Sequence, residues 1–135
     1  MNYAIKAYSV SNQDAKIIIK EATINFGTTV KTAEKLPNAA ELFLSSFAAC
    51  MLKNVERFST ILKFNYTKAT VSVTATRLEK PPRIDNLNYN LTIYSNDKKM
   101  NTQLLKKNIE KFGTIYNTIQ QSCTITGTIK TIENV

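Results

Sequence analysis

Histidine and tryptophan are absent from the 135 residues, and glycine and proline number only three each. Without an imidazole the chain cannot run Ser/His/Asp or Cys/His nucleophilic catalysis, nor hold a His-ligated zinc or haem. Cysteine is scarce as well. Two thiols fall short of the four ligands of a Cys-only zinc or iron-sulfur site within one chain, but they suffice for one disulfide. No metal and no cofactor are expected. No run approaches the roughly 20 apolar residues of a membrane span, and Met1-Asn2-Tyr3-Ala4-Ile5-Lys6 alternates like a strand instead of opening as an export leader does. The expectation is a cytoplasmic protein with no membrane partner, and in that compartment a cysteine pair is more often catalytic or redox-sensing than structural.

Apolar residues make up 43% and charged residues 21%, a balance that places the chain among globular proteins rather than disordered or fibrous ones. Its length suits one domain over residues 1–135 and is too short for two full cores. The net charge of +8 would suit an anionic partner, but 15 of the 18 cations are lysines scattered from Lys6 to Lys130, with no basic stretch interleaved with aromatics. Scattered lysines serve solubility, so no nucleic-acid partner is expected.

Strand patterns cover Asn2 to Val10, Ala15 to Lys20 and Thr23 to Phe26, an antiparallel meander. Asn38 is a good N-cap for a helix from Ala39 to about Leu62 that contains no Gly or Pro. From Leu42 to Leu52 that helix is apolar nearly all round, which predicts a central element buried on most sides. Two half-buried strands follow, carried by Ala69, Val71, Val73 and Ala75 and by Leu87, Tyr89, Leu91 and Ile93. Between them Glu79-Lys80-Pro81-Pro82-Arg83 predicts a stiff link outside the ladder. Asn101 caps a second helix whose apolar residues, Leu104 to Ile119, keep helical spacing across Gly113. Thr124 to Ile132 adds a last strand. The order is βββ-α-ββ-α-β, an α+β fold.

Cys50 falls in the middle of the first helix beside Ala48 and Ala49. An unpaired cysteine on an apolar helix is usually a small buried hydrophobe. Acting as a thiolate there requires a nearby cation, because a mid-helix position gains little from the helix dipole. Ser46, Phe47, Asn54 and Arg57 share its side at 100° per residue, whereas Glu41 points to the opposite side. Cys123 lies at the junction of the second helix and the last strand, and the spacing alone neither supports nor forbids a bridge to Cys50.

Pro37-Asn38-Ala39-Ala40-Glu41-Leu42-Phe43-Leu44 running into Phe47-Ala48-Ala49-Cys50 resembles the motif that opens the central helix of the OsmC/Ohr family. Arg77-Leu78-Glu79-Lys80-Pro81-Pro82-Arg83 is similar to that family's linker between two long strands, and Cys123-Thr124-Ile125-Thr126 to its second cysteine motif. The resemblance implies an OsmC-like fold assembled as an intertwined homodimer around the central helices. It implies a thiol peroxidase that reduces organic hydroperoxides, with Cys50 as the peroxidatic and Cys123 as the resolving cysteine. The resulting disulfide would be reopened by an external dithiol, such as a lipoyl group.

Three positions depart from the family's pattern. No arginine precedes Arg57, where the peroxidases carry one in the N-terminal sheet, Ala40 stands where they place a glutamate, and Thr124 replaces a proline. Glu41 matches the second acidic residue of the helix motif and joins the candidate site. Arg57, with Arg77 second, is the expected source of the offsetting charge. Phe43 and Phe47, at i−7 and i−3 from Cys50, are the expected apolar walls of a substrate pocket. The alternative these departures keep open is an OsmC-like protein that handles thiols or persulfides, or a binding module, without fast peroxidase activity.

Overall fold

The computed structural model describes residues 1–133 and divides into two compact units, Met1–Phe43 and Leu44–Val135. In the first, β1 (Lys6–Ser9), β2 (Ala15–Ile19) and β3 (Ala22–Phe26) form the expected meander in the order β1-β2-β3. β1 is shorter than its alternating pattern predicts. Lys6 already pairs with Ile18, one residue before β2 ends, so residues ahead of Ile5 run past the β2–β3 turn and have no ladder to join. Asp14 ties the following segment to the sheet. Its Oδ1 accepts from the backbone N–H groups of Thr28 and Thr29 and from the hydroxyls of Thr29 and Thr32, and the Thr32 bond above all holds the carboxyl below its usual range.

A helix, α1 (Ala39–Ile61), starts where the sequence places it. Asn38 Oδ1 accepts from the Glu41 N–H at 2.9 Å and Glu41 Oε1 accepts from the Asn38 N–H at 3.0 Å, a reciprocal capping box. Within the second unit the helix buries Phe47, Met51, Val55 and Phe58, one stripe at helical spacing, with Asn54 beside it. The expectation of cover on most sides from Leu42 to Leu52 is not met within one chain: Phe43 and Leu52 stay exposed.

The second sheet has the order β4-β5-β6, built from β4 (Lys68–Glu79), β5 (Pro82–Tyr94) and β6 (Ile125–Ile132). Central β5 runs antiparallel to β4 and parallel to β6. Here the sequence reading needs correction, because the proline link does not stand outside the ladder. Glu79 pairs with Pro82, and only Lys80 and Pro81, joined by a cis peptide bond, form the turn. At the first position of a strand the missing proline N–H removes no bond the ladder needs. β5 also carries a bulge: Thr74 pairs with Asn88 and Thr76 with Asp85, so Asn86 and Leu87 oppose Ala75 alone. Asn86 takes the left-handed conformation, φ 53°, which asparagine tolerates better than most residues.

The second helix also differs. The structure has α2 (Thr102–Phe112) and α3 (Thr114–Ile119) with a break at Gly113, where ψ is 115°. Glycine is required there by closeness rather than by φ, since a Cβ would lie 2.8 Å from the Ile109 carbonyl oxygen and 3.1 Å from Tyr116 Cβ. Asn101 caps α2 as expected, accepting from the Leu104 N–H at 3.0 Å. The inner faces of β5, α2 and α3 and the α1 stripe close on one core, centred on Phe47, Met51, Tyr89, Leu91, Leu105 and Ile109.

Candidate functional site

Cys50 is half-buried on α1, with a free thiol. One turn on, Asn54 is only 7% exposed and places its amide nitrogen 2.8 Å from the Cys50 carbonyl oxygen and 3.5 Å from Sγ. The α2–α3 junction also lies near the sulfur, since a Cβ built on Gly113 would be 3.4 Å from it, at ordinary contact distance.

A polar group at the edge of the core involves Tyr89, Glu110 and Lys106. Phe47, fully buried, packs its ring 5.8 Å from that of Tyr89 and 5.9 Å from that of Tyr116. The Tyr89 hydroxyl donates to Glu110 Oε2 at 2.9 Å, and Lys106 Nζ reaches the same oxygen at 2.7 Å. Burial, reinforced by the Glu110 carboxylate, pushes the Tyr116 phenol up to about 12 and the Tyr89 phenol up as well. Both phenols stay protonated at neutral pH, so they act as donors and not as bases.

Cys123 is the second free, half-buried thiol. It follows the C-terminal end of α3, its N–H bonded to the Ile119 carbonyl at 2.8 Å, and its Sγ donates to the Ile84 carbonyl at 3.2 Å. The β5 bulge builds this cradle: Asp85 Oδ1 accepts from the N–H groups of Thr124 at 2.7 Å and Asn86 at 2.8 Å. Those two bonds hold the Asp85 carboxyl below its usual range. Cys50, on α1, thus lies near Gly113 at the start of α3, and Cys123 follows the end of that helix, with its N–H on the Ile119 carbonyl.

The other residues singled out in the sequence have different surroundings. The Arg57 guanidinium is exposed and lies over the Phe58 ring, 5.3 Å from its centroid, and Arg77 pairs with Glu79 at 3.4 Å on the exposed end of β4. Asn54, a neutral amide, adjoins Cys50 Sγ. Glu41 serves in the capping box, Phe43 is 38% exposed, and Phe47 is a core residue. The sequence reading put Asn54 on the Cys50 side but gave it no part in the site, and it missed Gly113 and Asp85. Adjacent Asp85-Asn86 inside a strand pattern was the available signal for the bulge, since both residue types favour left-handed or turn backbone. No helix among the described residues is long and apolar enough to cross a membrane.

Residues 32–128 match the model of the family described as OsmC-like protein, and the chain belongs to that family. No curated protein sequence matches it. Among solved structures it is similar to an OsmC-like protein from Mycoplasma pneumoniae, with TM-score 0.86, 18% identity and 98% of each chain covered. An organic hydroperoxide resistance protein OsmC from Legionella pneumophila superposes with TM-score 0.72 and 12% identity over 96% of this chain and 97% of that one. An organic hydroperoxide resistance protein from Elizabethkingia anophelis does so with TM-score 0.68 and 13% identity over 99% of each chain.

Proposed function

We propose that the protein is a thiol peroxidase for organic hydroperoxides, with Cys50 as the reacting thiol and Cys123 as its resolving partner. The observation that carries this reading is the placement of two free, half-buried thiols at the two ends of α3. The Cys50 thiolate attacks the terminal oxygen of the hydroperoxide and the O–O bond breaks. The alkoxide takes a proton and leaves as the alcohol, and Cys50 becomes a sulfenic acid. Cys123 sulfur then attacks Cys50 sulfur, a disulfide forms and water departs. An external dithiol, of which a lipoyl group is one kind, returns two electrons and restores both thiols. The need for that reductant places the cycle in a reducing compartment such as the cytoplasm.

One equivalent of an alkyl hydroperoxide added to the reduced protein should remove two thiols per chain and give a linked Cys50–Cys123 peptide in mass spectra. In Cys123→Ser the same treatment should leave sulfenic or over-oxidised Cys50, and Cys50→Ser should consume no peroxide. A thiol count unchanged by peroxide would refute the peroxidase and favour the thiol- or persulfide-handling alternative.

The functional unit is a homodimer in this reading. Its support is the apolar surface one chain leaves uncovered: on α1, Leu52 at 37% and Ile61 at 55% exposure, and in the first unit Tyr3, Ile5, Tyr8 and Val10, each exposed by more than half. Sedimentation at micromolar concentration should give a dimer, and a natively folded monomer would overturn the assignment.

A further inference from the structure

The thiol reading above assigns no residue to hold Cys50 in its reactive form, and Arg57 and Arg77 are engaged with Phe58 and Glu79. We propose that Asn54 is the positioning residue for Cys50, donating an amide N–H to Sγ and favouring the thiolate over the thiol. This rests on Cys50 being the reacting cysteine.

The orientation of the amide follows from its partners. A carbonyl oxygen only accepts, so the Asn54 atom 2.8 Å from Cys50 O is the nitrogen. That nitrogen carries two hydrogens. One goes to the carbonyl, and Sγ at 3.5 Å is in place for the other. A thiolate is a far better acceptor than a thiol, so a fixed N–H donor stabilises the ionised form selectively. The carbonyl bond also restricts the Asn54 rotamer, so the donor stays aimed at the sulfur. At 7% exposure there is little water to compete, which strengthens the contact.

Charged and titratable groups among the described residues of the elements around Cys50 have partners of their own or face solvent. On α1, Glu56 takes the Tyr66 hydroxyl, Arg57 lies over Phe58, and Lys53 is exposed. On α2, Glu110 is matched by Lys106 and the Tyr89 hydroxyl, and Lys111 lies over Phe112. Tyr116 on α3 stays protonated. A neutral donor at the helix position four residues after the cysteine thereby does work for which the peroxidase pattern uses a cation.

The test is the pH profile of Cys50 alkylation by iodoacetamide, mapped by peptide mass in the reduced full-length protein. Wild type is compared with Asn54→Leu, Asn54→Ser and Asn54→Asp, each checked for native near-UV circular dichroism. Leu removes both donors, whereas Ser keeps one hydrogen, which the Cys50 carbonyl takes by the usual back-bond. Both profiles should move to higher pH, with alkylation at neutral pH slower by about tenfold, the scale of one hydrogen bond to a charged group. Asp presents acceptors and a like charge and should be slower still. A folded Leu or Ser variant with the wild-type profile, or an Asp variant as fast as wild type, would overturn the proposal. Alkylation is read without peroxide, so the two readings fail separately. Loss of reactivity in the Asn54 variants without peroxide consumption by wild type would sink only the peroxidase, and peroxide consumption with unchanged profiles would sink only the role of Asn54.

Discussion

Gly127→Ala should destabilise the protein by about 3 kcal/mol, although it adds a single methyl group and the φ at this position suits any residue. Gly127 on β6 pairs with Tyr89 on β5, and a Cβ there would lie 2.1 Å from Cε1 and 2.2 Å from Cδ1 of the tyrosine ring. No real Cβ survives such a contact, so the ring or the strand must move. The ring has little freedom: Phe47 packs beside it at a tilt of 46° and the hydroxyl is tied to Glu110. Swinging it aside would strip a donor from a partly buried carboxylate, an additional loss of about 1 kcal/mol or more. Against this, replacing glycine restricts the unfolded chain and returns at most about 1 kcal/mol. Steric strain wins, and the melting temperature should drop by roughly 10 °C for a chain of this size. A thermal melt showing an unchanged midpoint would mean that the ring has another place to go.

Phe47→Ala and Phe43→Ala should separate core from substrate surface. Both phenylalanines precede Cys50 on α1 at spacings that make them pocket walls in a helical projection, but Phe47 is fully buried between two tyrosine rings while Phe43 is 38% exposed. Truncating Phe47 should cost about 3–5 kcal/mol of stability through lost burial and the cavity left behind. It removes the ring packed beside Tyr89 and Tyr116. Truncating Phe43 should change stability far less. If the peroxidase reading holds, the Phe43 variant should instead lose part of the preference for longer alkyl hydroperoxides, which gain about 0.8 kcal/mol per buried methylene. Denaturant melts and relative rates over a chain-length series check both. A Phe47 variant of normal stability with altered chain-length preference would return Phe47 to the pocket.

The elements were legible because their signals are local. Ala69 to Ala75 and Leu87 to Ile93 alternate with polar residues, and the structure finds them in β4 and β5 with the apolar set inward. Asn38 and Asn101 announce their helices, and both side chains accept the N–H three residues on. The two cysteine motifs sufficed for the family. Gly113 was misread because helices tolerate glycine at modest cost and its φ of −70° is ordinary. At the break a side chain at this position would meet the Ile109 carbonyl oxygen and Tyr116 Cβ, a crowding that appears only once the backbone has turned there. The proline link was misread in the opposite sense, since a strand's first residue has no need of the N–H that proline lacks.

The sequence by itself determined which chemistry is available: no imidazole, two thiols, and an α+β order of elements whose patterns repeat every two or every 3.6 residues. Such periods encode which face of an element is apolar, and they carry no distance between elements. Only the tertiary structure decided what those faces meet. It set Gly113 against Cys50 and Tyr89 over Gly127, and turned Asp85 through the Asn86 bulge onto Thr124 beside Cys123. It also set the Asn54 amide nitrogen 3.5 Å from Cys50 Sγ and the Arg57 guanidinium over the Phe58 ring. Each of these is a close approach between residues distant in sequence, or a choice of rotamer made by packing, and it exists only once the core has closed.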